Sequence, residues 1–210
     1  AASDVYKRQL IDAFNKDTEV YLIQSNEDGF KKIDNVLKND ADISSLHIIG
    51  HGSAGKILFG NATLSNDTIK SYNHTLRSIG QSLTDDGDIL FYGCNVASTE
   101  GGKTLISKIS EITKADIAAS DDVTGKGGDW HLEKKIGIVE TENVTVLEYD
   151  YNLGTFVTAS ATSSAASVSV NADGITSIAG AAAAYTGSDA TSFDFRSCLL
   201  YTSDAADEGV

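Results

Sequence analysis

Cleavage of a peptide bond by a cysteine needs a thiolate, an imidazole within reach of it, and N–H donors for the tetrahedral oxyanion. His51 and Cys94 are the residues of this chain whose types and surroundings fit that chemistry. The thiolate attacks the carbonyl, and the imidazole sustains the thiolate and protonates the departing amine. Gly52 and Ser53 follow His51, and Gly93 precedes Cys94, so small residues flank both positions and leave room for a substrate backbone. The amides of Gly52 and Cys94 are the natural oxyanion donors. Ser53, Gly93 and Asn95 border the pair, and Asp121 and Asp122 stand in loops that can overhang it. A carboxylate there could select a basic substrate residue, although a solvated turn is the ordinary reading.

Other chemistries fit less well. The sequence holds two cysteines, and Cys198 falls within the closing stretch from Ser197 that reads as translated sequencing-adapter DNA. With that stretch set aside, Cys94 has no disulfide partner, and it is either a small buried apolar residue or a reactive thiol. No histidine pair has metal-ligand spacing, and one thiol cannot build a zinc site, so neither a metal nor a cofactor is expected. Gly50-His-Gly-Ser-Ala-Gly55-Lys56 matches the first part of a phosphate-binding loop but has Ile57 where the Mg²⁺-binding hydroxyl belongs. The Gly-x-Ser-x-Gly elbow around Ser53 fails because His51 replaces its first glycine. His47 reads as a core or interface residue, His74 as solvated, and His131 follows Trp130 in a segment that could approach the site.

The elements that must position the pair alternate. Glu19–Gln24 is a short β-prone run, and Asp28–Leu37 places Phe30, Ile33, Val36 and Leu37 at helical spacing. Ile43–Ile49 is an apolar run that ends at Gly50-His51. Lys56–Phe59 and Ala62–Leu64 flank Gly60-Asn61 as a small hairpin. A helix capped by Ser65 or Asn66 is predicted to run to Leu83, followed by a turn at Thr84–Asp88. Ile89–Tyr92 is a third strand, ending at Gly93-Cys94. Ser98 or Thr99 caps the next helix, and Asp116–Ser120 is a fourth strand. Trp130–Glu133 with Ile136–Glu140 predicts a β-hairpin, and Val144–Tyr149 a further strand. Continuous apolar strands between amphipathic helices imply a mostly parallel sheet covered on both faces. Ligands bind such sheets beyond the carboxyl ends of the strands, which is where both His51 and Cys94 fall.

The resulting division is an adapter-like segment at 1–9, an α/β domain at 10–152, an Ala/Ser/Thr/Gly-rich linker or start of a repeat region at 153–196, and a second adapter-like segment at 197–210. The formal net charge of −14 argues against nucleic acid and anionic membranes as partners, and no apolar run is long enough to insert into a membrane.

An apolar strand ending in His-Gly, a helix, and an apolar strand ending in Gly-Cys resembles the caspase and gingipain group of cysteine peptidases. The carrying pieces are Leu46-His-Ile-Ile-Gly-His51-Gly52 and Ile89-Leu-Phe-Tyr-Gly93-Cys94. The resemblance implies a three-layer α/β fold with a mostly parallel central sheet flanked by helices, plus a C-terminal β-hairpin region. It also implies Cys94 as nucleophile and His51 as general base and acid. The stretch from about Val20 to Glu140 is similar to an uncharacterised domain family of very large bacterial surface proteins, many with cadherin-like or other adhesive repeats. His47–Ser53, Ile79–Ala97, Ala115–Ser120 and Gly127–Trp130 carry that likeness. It implies an extracellular or cell-surface setting. The expected function is therefore a cysteine endopeptidase domain acting on its parent chain in cis or on a neighbouring polypeptide. The alternative is a catalytically inactive N-terminal adhesin module with a structural or interaction role.

Overall fold

The computed structural model describes residues 13–14, 18–146, 149 and 151–154, and the backbone of strands at 160–161, 167–171, 174–179, 183–184 and 198–203. The adapter-like opening 1–9 and most of the Ala/Ser/Thr/Gly-rich stretch lie outside the described residues; within that stretch, Ser167–Asn171 and Gly174–Ala179 pair antiparallel.

The domain has mixed α/β content and a mostly parallel central sheet. In chain order its elements are β1 (Thr18–Leu22), α1 (Gly29–Leu37), β2 (Ile43–Ile49), β3 (His51–Ser53), β4 (Lys56–Phe59), β5 (Ala62–Ser65), a 3₁₀ turn (Ile69–Tyr72), α2 (Asn73–Gln81), β6 (Leu83–Tyr92), α3 (Glu100–Thr113), β7 (Asp116–Ala119) and β8 (Lys134–Ile136). β6 lies between β2 and β7 and is parallel to both, while β8 closes that edge antiparallel to β7. On the other side Cys198–Ser203 runs antiparallel between β1 and β2. β3, β4 and β5 form a separate antiparallel sheet, so the predicted hairpin gains a third strand that begins at His51.

Local chemistry sets most of the boundaries. The Asp28 carboxylate accepts from Lys31 N at 3.2 Å and caps α1, and the Thr99 hydroxyl accepts from Gly102 N at 3.2 Å and caps α3. The helix predicted from Ser65 or Asn66 starts later. Thr68 Oγ1 accepts from Ser65 N and donates to Thr63 O, which folds residues 65–68 into a turn, and α2 begins only at Asn73. The turn predicted at Thr84–Asp88 is absorbed into β6, a ten-residue strand whose pairing with β2 shifts register between Ile43 and Ser45. Of the second predicted hairpin, the described residues form the single strand β8; Trp130–Glu133 and Val144–Val146 are irregular.

Side chains alternate across the sheet as a strand requires. Leu46, Ile48, Ile89, Phe91, Ile117 and Ala119 face one core, together with the apolar sides of α1, α2 and α3. Ile49, Leu90, Tyr92 and Ala118 face the other, where Val123, Trp130, Leu132, Val146, Tyr149 and Leu153 cover them. All the described helices thus share one face. Crossovers between parallel strands are right-handed, and β2 to β6 to β7 steps always in one direction, so α2 and α3 must fall on the same side. The second face is covered, among the described residues, mainly by irregular chain from 123 to 153. Phe91 is 1 % exposed at the centre of the helical core. Phe91→Ala is expected to destabilise the domain by about 3–5 kcal/mol in urea denaturation, the usual cost of truncating a buried Phe.

Candidate active site

β2 and β6 are adjacent and parallel, with Ile49 opposite Tyr92, so the chain leaves both strands at the same rim. From β2 it continues through Gly50 into His51, and from β6 through Gly93 into Cys94. The two exits touch. A methyl group at Gly52 would lie 2.6 Å from both Cys94 O and Gly93 C, and one at Gly93 would lie 3.0 Å from Gly50 O. Only glycine fits such an approach of two backbones. Beyond Cys94, Asn95 takes a left-handed conformation (φ 60°), and its N–H donates to Asp122 O at 2.6 Å. Asn is among the few non-glycine residues that adopt this conformation readily. Ala97 N donates to Ser120 O at 2.9 Å, so the turn after Cys94 is tied to the exit of β7.

The N–H groups of Gly52 and Cys94, the donors expected from the sequence, converge on one oxygen. It is the carbonyl of Leu153, 2.8 Å from Gly52 N and 3.4 Å from Cys94 N. Leu153 belongs to an extended segment laid across the rim. Tyr151 O accepts from Lys126 N at 2.9 Å and Leu153 N donates to Thr124 O at 2.9 Å, while Gly154 bridges to Gly52 in parallel sense. Cys94 is 1 % exposed. Its thiol donates to Thr124 O at 3.6 Å, and its sulfur accepts from Thr124 N at 3.3 Å. A methyl group placed on Gly154 would lie 3.8 Å from that sulfur. His51 meets the same peptide: burial lowers its imidazole pKa below the ordinary range, and backbone hydrogen bonds with Gly154 and Leu153 oppose the shift. Thiol, imidazole and both amides therefore gather around the Leu153–Gly154 linkage.

The Leu153 side chain is fully buried. It packs with Leu90, Tyr92, Val123, Trp130 and Tyr149, and Trp130 and Tyr149 meet edge to face with centroids 5.6 Å apart. Burial raises the Tyr149 phenol pKa far above its usual value, with smaller contributions from its neighbours Cys94 and Tyr151. The remaining polar positions named from the sequence lie outside this apolar cluster. Asp121 is ion-paired with Lys134, and its N–H donates to Glu133. The Asp122 carboxylate lies 3.4 Å from the Ser120 hydroxyl. Ser53 pairs with Lys56 in the small sheet. His131 is exposed beside Asp129, His74 is exposed on α2, and Trp130 sits in the core.

Among the described residues two carboxylate triads, Asp88–Asp116–Glu140 and Asp122–Asp129–Glu133, each bring oxygens within 4.8 Å of one another. Such all-oxygen sets suit hard cations. The first already has backbone partners, since Thr141 N donates to Asp88 at 2.8 Å and Ile138 N to Asp116 at 2.9 Å. It fastens the chain at the middle of β6 and the amino end of β7, away from Cys94. No described helix is long and apolar enough to cross a membrane.

Thr124, Leu153 and Gly154 were not singled out by the sequence, which divides domain from linker between Asn152 and Leu153. The available signal was the aromatic-rich Tyr149-Asp-Tyr-Asn-Leu-Gly154, lying immediately before the change in composition. The chain belongs to the family described as "Domain of unknown function (DUF4347)", which matches residues 3–153. No curated protein and no solved structure matches it.

Two measurements check this geometry. Leu153→Ala removes buried methyl groups worth about 2–5 kcal/mol and loosens the segment over Cys94. Alkylation of Cys94 by iodoacetamide, followed by peptide mass, is expected to be slow in the wild type and at least about tenfold faster in Leu153→Ala. The second concerns His47, which stacks on Tyr92 with Nδ1 3.2 Å from its hydroxyl. Burial lowers the pKa of His47 from the ordinary 6.5 to about 4. The neutral ring is thus the folded form, and its stabilisation is complete above pH 6.5 and lost as pH falls towards 4. The full loss is about 3 kcal/mol at about 1.4 kcal/mol per pKa unit. Urea midpoints measured across that window should fall with acid in the wild type and less steeply in His47→Phe.

Proposed function

We propose that this domain is a cysteine endopeptidase of the caspase and gingipain type, with Cys94 as nucleophile and His51 as general base and acid. One observation carries the reading. A single carbonyl oxygen is held by the two N–H groups, those of Gly52 and Cys94, that a peptidase of this kind aims at its oxyanion. His51 lies against the same peptide, where backbone hydrogen bonds with Gly154 and Leu153 raise its imidazole pKa against the larger lowering by burial, and it would accept the thiol proton there. The polypeptide substrate lies extended across the rim, paired to the backbone around Thr124 on one side and Gly52 on the other, a form of strand addition. The chemistry draws on thiol, imidazole and amides, without a cofactor. The acidic chain and its likeness to large bacterial surface proteins with adhesive repeats support an extracellular or cell-surface setting, with neither nucleic acid nor membrane insertion among its partners.

A second reading is favoured by a different observation. The Cys94 sulfur is engaged by Thr124 through both its N–H and its carbonyl, as a structural cysteine would be. On that reading the domain is an inactive module that presents an adhesin. A peptidyl acyloxymethyl ketone with Leu next to the reactive group separates the two. In Leu153→Ala, where the pocket is vacated, the probe is expected to alkylate Cys94, and adding His51→Ala should slow labelling by about 10² or more, the usual worth of a positioned base. Labelling that is absent, or indifferent to His51, would leave the module reading in place.

A further inference from the structure

We propose that the first substrate of this domain is its own chain, and that Cys94 cuts the Leu153–Gly154 peptide bond. The inference rests on the peptidase reading above and adds the bond and the side chain it selects. Tyr151–Gly154 holds the position of a bound substrate. Its backbone pairs with Lys126 through Tyr151 O, with Thr124 through Leu153 N, and with Gly52 and Cys94 through Leu153 O. The carbonyl in the oxyanion position belongs to the residue whose side chain fills the pocket, so the scissile bond follows Leu153. The Leu153 side chain is fully buried in an apolar cluster with Leu90, Tyr92, Val123, Trp130 and Tyr149. Such surroundings favour Leu over Asp, Lys or Arg, because burying a charge among apolar side chains is costly. On the far side of the bond stands Gly154, where a Cβ would lie 3.8 Å from the Cys94 sulfur, in ordinary van der Waals contact.

The steps balance within the chain and one water. The Cys94 thiol proton passes to His51, and the sulfur bonds to the Leu153 carbonyl carbon. The resulting oxyanion is held by Gly52 N–H and Cys94 N–H. The C–N bond to Gly154 then breaks, and His51 returns the proton to the Gly154 nitrogen, which leaves as a free amine. Water, deprotonated by His51, attacks the Leu153–Cys94 thioester. The thiol is regenerated, and Leu153 becomes a carboxylate terminus. The products are a domain ending at Leu153 and a released chain beginning at Gly154.

The test is to incubate the purified full chain and follow intact mass and the N-terminal sequence of any fragment. The expected result is a fragment ending at Leu153 and another beginning at Gly154, both absent in Cys94→Ala. Leu153→Met should still be cut at this bond, and Leu153→Lys at least tenfold more slowly. Near-ultraviolet circular dichroism checks that each variant is folded, and if Leu153→Lys is not, Leu153→Ala takes its place with the same expectation. A Cys94-dependent cut at another bond would overturn this inference while leaving the peptidase reading. So would an intact chain whose Cys94 is labelled by the Leu-directed ketone in a His51-dependent way. A chain that is neither cut nor labelled overturns both.

Discussion

The contact on which the rest of this structure depends is the shared acceptance of two N–H groups by one carbonyl. Gly52 and Cys94 come from different strands, and each has an N–H at an exit where the regular sheet ladder has ended. A buried N–H without an acceptor is costly, on the order of 1–3 kcal/mol. Leu153 supplies the acceptor for both. The chain is thereby held over the rim, the leucine side chain is delivered into the second core, and the adjoining peptide is brought beside a sulfur and an imidazole. The same arrangement closes a fold and, on the proposed reading, would present a peptide bond to a nucleophile.

The sheet makes that contact possible. β2 and β6 must be adjacent for the two exits to meet, and the crossover through α2 makes them so. Their approach is close enough that no Cβ is tolerated at Gly52. Because the described helices share one face, the other is left to segments with little regular hydrogen bonding. They are held instead by point contacts: Tyr92 OH accepting from Val144 N, Asp88 accepting from Thr141 N, and the pairing of Tyr151 and Leu153 with the loop at 124–126. The site thus joins a rigid half, made by strand ends, to a half anchored mainly through side chains and loops. Loops placed on a rigid scaffold are where chemistry commonly resides.

What could be read from the sequence follows this division. Periodicity found β2, the last four residues of β6, β7, α1 and α3, because each carries an apolar pattern; a cap or a glycine bounds all of them but β7. That His51 and Cys94 leave neighbouring strands at one rim followed from the strand ends, and the close approach of the two exits from the small residues beside them. Where local hydrogen bonds compete with pattern, the reading slipped: Thr68 turned the start of a helix into a loop, and β6 ran straight through Thr84–Asp88 despite its turn-forming residues. The half built on 123–153 was least legible. Val144, Val146 and Tyr149 look like a strand but are spaced to cover a sheet, which is a tertiary demand that no local pattern records. Leu153 looked like the first residue of a linker because its importance lies in what its carbonyl meets, and every residue carries a carbonyl.

A segment that covers a core and a segment that is cut have conflicting requirements, and the position of the bond reconciles them. Cleavage before Leu153 would remove its side chain from the pocket and leave Leu90, Tyr92 and Trp130 facing a void. Cleavage after it leaves the leucine with the domain, so the apolar core stays filled. The oxygen already held by Gly52 and Cys94 would then become part of a carboxylate, and charge strengthens hydrogen bonds of this kind. The proposed product would therefore be held more firmly than the peptide, with its new terminus still beside the Cys94 sulfur. On the proposed reading, a domain arranged in this way would work efficiently once, on a bond that folding itself delivers at high effective concentration. It would act on a second chain only as often as residues 151–153 withdraw from the rim.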